Sequence, residues 1–225
     1  VIGIEKDPKM VEILQETLKD FKNVEIIRGD IRRIENLKLL CVNSGQIKNY
    51  KVVANLPFYL TAPVIRKFLE VENPTRERSP SAKRLAWQPK EMTLVVQKEV
   101  GQRICSKPPD MSILAVSVQF YAKPEIISYI SKKSFWPSPK VDSAIIKITI
   151  NSKQLTVNRN LFFESVRAGF LHPRKQLINN LSRGLKMSRE KIESWLLKNN
   201  IQPTQRAETL NIEDWIKLTK SFRID

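Results

Sequence analysis

Short apolar runs alternate with helix-like segments through the first half of the chain, and this alternation constrains the fold more than any other feature. Strands are predicted at residues 1–4, 24–30, 51–55 and 92–97. Helices are predicted from Asp7-Pro8 to about Lys19, over 61–71 and from residue 98 onward. Strands of continuous apolar character that alternate with helices are typical of βαβ units, in which helices cover both faces of a parallel sheet.

The second half of the chain changes character. Residues 112–122 are ambiguous between helix and strand because a short apolar run does not settle the period, and we favour a helix. Two strands, 124–131 and 140–150, are predicted to close the sheet as an antiparallel, hairpin-like pair. Beyond about Asn151 the pattern is helical, with four short segments dense in Lys and Arg.

The charge balance favours a polyanionic partner. Lys and Arg number 39 against 23 Asp and Glu, a formal net charge of +16. Neutralising phosphates releases their counterions, which drives sequence-independent binding to nucleic acid. A protein that is merely soluble and basic is the alternative interpretation.

Cysteine content and hydropathy exclude other classes of protein. Cys41 and Cys105 are the two cysteines and lie in unrelated contexts, so neither a disulfide framework nor a metal site is expected. No apolar run approaches the ~18 residues of a membrane span, and no signal-peptide pattern is present. The expectation is a cytoplasmic monomer that binds no membrane.

The pattern predicts two domains and one insertion. An α/β domain is expected over 1–152 and a small all-helical domain over 153–225. Residues 72–91 are rich in Pro, Ser and Arg, which indicates a basic insertion. This segment is interpreted either as a mobile loop or as an arm that touches RNA.

Polar side chains stand at the ends of three predicted strands, namely Glu5, Asp30 and Asn55. In open α/β sheets, ligands bind outside the carboxyl ends of the strands. A carboxylate there can accept hydrogen bonds from a ribose diol, and one on the next strand can accept from an adenine amino group. Taken singly, each acid is equally explained as a helix cap or a solvated loop residue.

The stretch Asn55-Leu56-Pro57-Phe58 is more specific. The N6 amino group of adenine is a poor nucleophile because its lone pair is delocalised into the ring. Two acceptors placed tetrahedrally around that nitrogen would free the lone pair. Asn55 supplies one, and the carbonyl of Leu56 or Pro57 supplies the other, since proline restricts the backbone around it. Phe58 offers a stacking face. The alternative is a simple turn after a strand.

The sequence resembles the rRNA adenine N6-dimethyltransferase family along essentially its whole length. The matching stretches are VIGIEKDP, VEIIRGDI, VVANLPFYLTAPVI, LVVQKEVGQRI, FWPSPKVDSAII, FFESVRAGFLHPRKQLINNL and IQPTQRAETLNIEDW. The resemblance implies a class I, Rossmann-like methyltransferase sheet and S-adenosylmethionine as cofactor. It also implies dimethylation of two adjacent adenosines in small-subunit rRNA, on the immature small ribosomal subunit, during ribosome biogenesis.

The resemblance also implies roles for individual residues. Glu5 matches the acid that binds the cofactor ribose, and Asp30 with Ile31 matches the pair at the cofactor adenine. Asn55, Leu56, Pro57 and Phe58 match the catalytic motif, in which tyrosine is the commoner fourth residue, and Asn55 also borders the cofactor.

Two further groups are expected to contact RNA. Phe135 matches a residue that packs on the second face of the target base, although it could equally be a hinge aromatic at the sheet edge. A cationic wall that grips phosphates is expected on the helical domain. Its candidates are Arg167, Arg174, Lys175 and Arg183, with Lys186 and Arg189 nearby.

One departure from the family pattern qualifies these expectations. The family's glycine-rich cofactor loop would lie upstream of Val1, so the sequence is interpreted as an N-terminally incomplete form of a longer protein. Three alternatives stay open: a large-subunit rRNA adenine methyltransferase, a non-catalytic factor that binds the pre-ribosome, and a mitochondrial-type transcription factor of the same fold. A DNA adenine methyltransferase is less favoured, because its motif usually has proline where Leu56 stands.

Overall fold

The computed structural model describes residues 1–33, 50–70, 88–151 and 157–222. The chain divides into two units, Val1–Lys51 with Pro57–Lys90, and Val52–Leu56 with Glu91–Asp225. The predicted basic insertion lies outside the described residues except for 88–91. The predicted domain boundary at residue 152 also lies outside them, so it stays a prediction.

The first unit holds a two-stranded parallel sheet, and its elements follow the predicted order. They are β1 (Ile2–Glu5), α1 (Pro8–Thr17), β2 (Glu25–Arg28) and α2 (Thr61–Leu69). Asp7 caps α1, since its Oδ1 accepts the Lys9 amide at 2.8 Å and Pro8 occupies the first helical position. The sequence signal at Asp7-Pro8 is therefore explained by helix capping alone.

The second unit holds a four-stranded sheet, except for the first residue of one strand, Lys51. Its strands are β3 (Lys51–Asn55), β4 (Glu91–Gln97), β5 (Ala122–Ile130) and β6 (Ser143–Ile150), in the order β3-β4-β6-β5. β6 runs antiparallel to both β4 and β5. The predicted antiparallel pair is thus confirmed as β5 and β6. Within the sheet, β6 lies between β4 and β5.

Six helices of the second unit lie within the described ranges. They are α3 (Lys98–Ile104), α4 (Ile113–Gln119), α5 (Arg159–Gly169), α6 (Leu177–Leu185), α7 (Arg189–Lys198) and α8 (Ile212–Ser221). The helix favoured for the ambiguous segment is confirmed as α4. Ser112 caps it, because its side chain accepts the Ala115 amide at 3.2 Å.

A single hydrophobic cluster joins α4 to the four C-terminal helices. Phe120, just after α4, stacks against Phe162 of α5 with ring centroids 4.2 Å apart. Trp215 of α8 and Leu181 of α6 are fully buried in the same cluster. These helices are stabilised by burying their apolar faces against one another, because each is too short to be stable alone.

α6 begins four residues later than the sequence pattern suggests. The pattern runs from Pro173, but the helix begins at Leu177. The Leu177 amide donates to the Gln205 carbonyl at 2.7 Å, and the Ile178 amide donates to the Pro203 carbonyl at 3.2 Å. A distant segment therefore satisfies the first amides of the helix, and Arg174 and Lys175 remain in a connecting turn.

None of the helices within the described ranges combines the length and the apolar character that crossing a bilayer requires.

Candidate active site

Glu5 and Asp30 come together in the first unit. They follow adjacent parallel strands, with Glu5 opposite Arg28 in the register of β1 and β2. The Gly29 amide donates to the Glu5 carbonyl at 2.8 Å, which brings the loop after β2 beside the end of β1. Glu5 Oε1 accepts the backbone amides of Lys6 and Asp7 at 2.7 and 2.8 Å. The carboxylate of Glu5 is therefore held in place by its own loop.

Asp30 is engaged by a neighbour that the sequence did not single out. Arg32 Nη2 donates to Asp30 Oδ2 at 2.6 Å, Arg32 Nε lies 3.1 Å from both oxygens, and the Arg32 amide donates to Oδ1 at 2.9 Å. Lys6 Nζ lies 3.8 Å from Oδ2. The side chain of Asp30 is 11% exposed. These bonds from Arg32 hold the pKa of Asp30 well below its ordinary range.

The Arg32 guanidinium links this acid to the turn after the Asn55–Phe58 motif. Hydrogen bonding and charge from Asp30, with a smaller contribution from Tyr59, raise the pKa of Arg32. Lys67 Nζ of α2 donates to the Arg32 carbonyl at 3.0 Å. The loop after β2 and the start of α2 are therefore neighbours within the first unit. The signal for Arg32 was its place two residues after an aspartate, where Asx-type turns form.

The backbone at Pro57 starts a short 3-10 turn. Pro57 has φ −51° and ψ 136°, and its carbonyl accepts the Leu60 amide at 2.8 Å. The turn covers Phe58–Leu60 and leads directly into α2. Phe58 is half-buried, whereas Tyr59 is 74% exposed. Proline fits this position because its fixed φ suits the extended residue before the turn.

Asn55 and Leu56 belong to the second unit, whereas Pro57 and Phe58 belong to the first. Asn55 is the last residue of β3 and is exposed, and Leu56 is half-buried. The sequence predicted that the strand ends at Asn55, and this is confirmed. A side chain at the carboxyl end of a strand stands where ligands bind in open α/β sheets.

Phe135 lies in the second unit, in the connection between β5 and β6. It is half-buried and follows a 3-10 turn over Lys132–Ser134, whose Lys132 carbonyl accepts the Phe135 amide at 3.3 Å. The aromatic ring is thus placed by a hydrogen-bonded turn rather than by the sheet ladder.

All four basic residues predicted on the helical segment are exposed in the second unit. Arg167 lies on α5, Arg183 lies on α6, and Arg174 and Lys175 lie in the turn that joins these helices. Arg167 and Arg183 adjoin Ala168 and Gly184, where α5 and α6 are so close that a Cβ added at Gly184 would lie 2.5 Å from the Ala168 Cβ. The α5–α6 crossing therefore gathers residues that are up to sixteen positions apart in sequence.

Asn180 fixes the turn that carries Arg174 and Lys175. Its side chain is 1% exposed, and Nδ2 donates to the carbonyls of Gly169 and His172 at 2.7 and 3.0 Å. Sequence reasoning missed this residue. The available signal was an asparagine within the apolar face that Leu177, Ile178 and Leu181 form on α6.

Comparisons with known proteins identify the family of the chain. The family model for "Ribosomal RNA adenine dimethylase" matches residues 1–223. The protein named ribosomal RNA small subunit methyltransferase A from Dehalococcoides mccartyi (strain CBDB1) is 40% identical over 226 residues. That alignment covers 99% of this chain and 71% of the relative.

Two solved structures share the fold. The 23S rRNA methyltransferase ErmE superposes with a TM-score of 0.70 at 20% identity, over 98% of this chain and 81% of that one. A dimethyladenosine transferase from Plasmodium falciparum superposes with a TM-score of 0.70 at 22% identity, over 97% and 80% of the two chains. The predicted class I, Rossmann-like fold is thereby confirmed. Because the family model spans nearly all of the sequence, including both acids and the Asn55–Phe58 motif, the chain belongs to the ribosomal RNA adenine dimethylase family.

Proposed function

We propose that this protein transfers methyl groups from S-adenosylmethionine to the N6 nitrogen of two adjacent adenosines in small-subunit rRNA. The substrate particle is the immature small ribosomal subunit, and the reaction belongs to ribosome biogenesis. Family membership and the name of the 40% identical relative support the reaction and the small-subunit substrate. The likeness to the 23S rRNA enzyme concerns the fold alone, so it does not favour the large subunit.

The backbone geometry after β3 is the observation that best supports methyl transfer to an adenine amino group. The Pro57 carbonyl accepts the Leu60 amide and so is committed to the 3-10 turn. Of the two carbonyls that could serve as second acceptor, the one at Leu56 is therefore favoured. In the proposed mechanism the Asn55 amide oxygen and the Leu56 carbonyl accept the two N–H groups of the adenine amino group. These two hydrogen bonds draw the nitrogen lone pair out of conjugation and orient it for attack.

Phe58 and Phe135 complete the proposed site for the base. Phe58 follows the acceptor pair, and its half-buried ring offers one stacking face for adenine. Phe135 is proposed to cover the opposite face. Base-modifying enzymes must take their target base out of its stack, and two aromatic faces compensate for the lost stacking.

The residues that would hold the cofactor fit that role to different degrees. Glu5 has one oxygen fixed by two backbone amides, and the carboxylate remains able to accept from a ribose hydroxyl. Ile31 is half-buried and offers apolar contact to an adenine ring. Asp30 already accepts four hydrogen bonds from Arg32, so accepting from an adenine amino group requires Arg32 to release at least one of them.

The cofactor supplies, when bound, an electrophilic methyl group on a sulfonium sulfur that leaves as a neutral thioether. The amino nitrogen attacks in its neutral form, so no side chain has to deprotonate it beforehand. The alkylated nitrogen is then cationic and releases its extra proton to solvent. The chain's single histidine, His172, lies in the turn between α5 and α6, next to Pro173.

The exposed basic residues of α5, α6 and their connecting turn are proposed to bind rRNA phosphates independently of the base sequence. They are Arg167, Arg174, Lys175 and Arg183. The buried Asn180 amide supports this role, because it holds the turn that presents two of them.

Methyl transfer to unmethylated small ribosomal subunits tests the proposal. The full-length protein is incubated with labelled S-adenosylmethionine, and the modified nucleotides are mapped. Asn55→Ala is expected to lower the rate at least ~100-fold while particle binding persists, because it removes one acceptor from the amino group. Asn23→Ala, at an exposed asparagine before β2, serves as the matched control and is expected to retain the wild-type rate. Binding without any transfer by the wild-type protein would refute the catalytic interpretation.

A further inference from the structure

An open groove lies in the second unit, where the β5–β6 connection meets the start of α3. Its volume is about 340 Å³. The residues that line this groove, called here the lysine groove, are Lys98, Glu99, Gln102, Lys132, Lys140, Val141 and Asp142.

Hydrogen bonds fix the walls of the lysine groove. Asp142 Oδ1 accepts the Lys132 amide at 3.0 Å, which ties the beginning of the β5–β6 connection to its end. The Lys98 amide donates to the Asp142 carbonyl at 2.9 Å, which ties α3 to the same point. Ser138 Oγ donates to the Lys132 carbonyl at 2.9 Å. The groove is therefore preorganised, so a ligand need not order it.

The lysines of the groove are not neutralised by neighbouring acids. Within the described ranges, Lys98, Lys132 and Lys140 form no ion pair with a carboxylate, and neither does the adjacent Lys133. Elsewhere on the same sheet, two other lysines are paired: Lys123 with Glu125 at 2.8 Å and Lys147 with Glu91 at 3.2 Å.

The groove therefore combines several ammonium groups with two carboxylates, those of Glu99 and Asp142. One Asp142 oxygen already accepts a backbone amide. The three lining lysines exceed these two carboxylates by one positive charge, and the adjacent Lys133 adds a second. This surplus favours an anionic group such as a phosphate of a phosphodiester chain.

Aromatic side chains stand beside these ammonium groups. Trp136, in the same connection, is 99% exposed. Tyr129, near the end of β5, is 50% exposed, and Lys98 Nζ lies 5.4 Å from the centroid of its ring. One exposed apolar ring is common on a protein surface, so the observation that matters is that Trp136 and Tyr129 are exposed together with the groove lysines. Aromatic rings beside cationic groups form the platforms on which unpaired bases stack.

We propose that this surface binds unpaired RNA next to the target adenosine, with backbone phosphates in the lysine groove and a base stacked on Trp136. The inference rests on the proposed function, which makes RNA the substrate, and it involves none of the phosphate-gripping residues on α5 and α6. An acidic protein segment would satisfy the lysines but would leave the exposed indole without a planar partner, so RNA is the better match.

Substitutions at this surface test the proposal directly in the full-length protein. The probe is an unmethylated small-subunit rRNA hairpin. Trp136→Ala is expected to weaken binding roughly 10-fold, because one stacked base is lost, and Trp136→Phe is expected to stay near wild type. Since Trp136 has almost no buried surface, its truncation does not disturb the core. Thermal unfolding of each variant verifies that the fold is retained.

The lysines are tested by the salt dependence of binding. Lys132→Ala combined with Lys140→Ala is expected to reduce the slope of log affinity against log salt by ~0.7 for each phosphate that the variant no longer neutralises. Lys123→Ala is the matched control, since this lysine is exposed on the same strand that leads into the connection but is paired with Glu125. It is expected to leave the slope unchanged.

Fluorescence reports the stacking itself. The chain has four tryptophans. Quenching on RNA addition that is present in wild type and absent in Trp136→Phe, with affinity retained, would identify Trp136 as the stacked ring. The proposal would be overturned if Trp136→Ala and the double lysine variant both bound the hairpin with wild-type affinity.

Methyl transfer is measured in parallel so that the two proposals fail separately. Normal transfer with unchanged RNA binding in all these variants would refute the surface and leave the proposed function intact. RNA binding that depends on Trp136 and the groove lysines, without any transfer by the wild-type protein, would refute the proposed function and leave the surface intact.

Discussion

Close packing between α5 and α6 makes Gly184→Ala an informative substitution. A Cβ added at Gly184 would lie 2.5 Å from Ala168 Cβ and 2.7 Å from Ala168 Cα. The second of these atoms belongs to the backbone, so rotation of a side chain cannot relieve the overlap. The helices must move apart, and this displaces Arg167 and Arg183, which adjoin the crossing.

The expected cost follows from two opposing effects. Forcing an extra methyl group into a well-packed contact costs about 1–3 kcal/mol. Alanine is favoured over glycine in a helix by about 0.8–1.0 kcal/mol, which offsets part of that cost. The expected net loss is therefore about 0–2 kcal/mol of unfolding free energy. For a chain of this size, each kcal/mol lowers Tm by about 2–4 °C.

Urea unfolding of the full-length protein measures this loss, and the compensating variant Ala168→Gly provides the control. Ala168→Gly removes the 2.5 Å contact with the Ala168 Cβ but keeps the 2.7 Å contact with its Cα, so it relieves part of the overlap. The double variant is therefore expected to be more stable than the sum of the two single changes, by about 0.5–1 kcal/mol. A Gly184→Ala protein that is more stable than wild type, as helix propensity alone would give, would refute the packing argument. Additive effects in the double variant would refute it too.

Three further predictions address single side chains. Asn180→Ala leaves the Gly169 and His172 carbonyls unpaired, so it is expected to cost about 1–3 kcal/mol and to speed amide exchange in the α5–α6 turn; unchanged exchange would contradict this. Arg32 lowers the pKa of Asp30. The stability that their ion pair contributes to the fold is therefore fully present well above the ordinary carboxyl pKa of about 3.9, and it is lost as the pH falls. The stability difference between wild type and Arg32→Ala should therefore shrink between pH 6 and pH 2, and a constant difference would argue against it. Burial, with a smaller contribution from Glu125, raises the pKa of Cys105 to about 11, so in a Cys41→Ser background its alkylation at pH 8 should be roughly 100-fold slower in the folded protein than after unfolding.

Local sequence signals predicted most of the elements. Asp7-Pro8 predicted the start of α1, and the KVVAN run predicted β3 with its end at Asn55. These signals are short-range, because a cap or a strand end depends on residues within about four positions. The start of α6 was predicted too early because the amides of its first turn are satisfied by residues 203 and 205, which no local pattern indicates.

In the candidate site too, local sequence patterns predicted some residues, and tertiary contacts decided the role of others. Glu5, Asp30 and Asn55 could be proposed from sequence because each stands at or just after the end of a strand, and the family motifs named them as well. Glu5 and Asn55 end β1 and β3, whereas β2 ends at Arg28, two residues before Asp30 and earlier than the predicted strand end. Arg32 was not proposed: its place two residues after Asp30 indicates an Asx-type turn, but only the tertiary structure shows the bonds from its side chain to Asp30. Predictions for the roles of the 72–91 insertion and for the boundary at residue 152 stay predictions, because those positions fall outside the described residues.

The sequence by itself determined the order of strands and helices, the family and the residues that follow each strand, since these depend on patterns repeated over a few residues. Only the tertiary structure decided that the Pro57 carbonyl is occupied, that Asn180 fixes a basic turn, and that Lys98 meets the β5–β6 connection more than thirty residues away. Such contacts form because folding brings distant residues together to bury the core and to pair most buried backbone groups, and their partners are set by the register of packed elements rather than by neighbours in the chain.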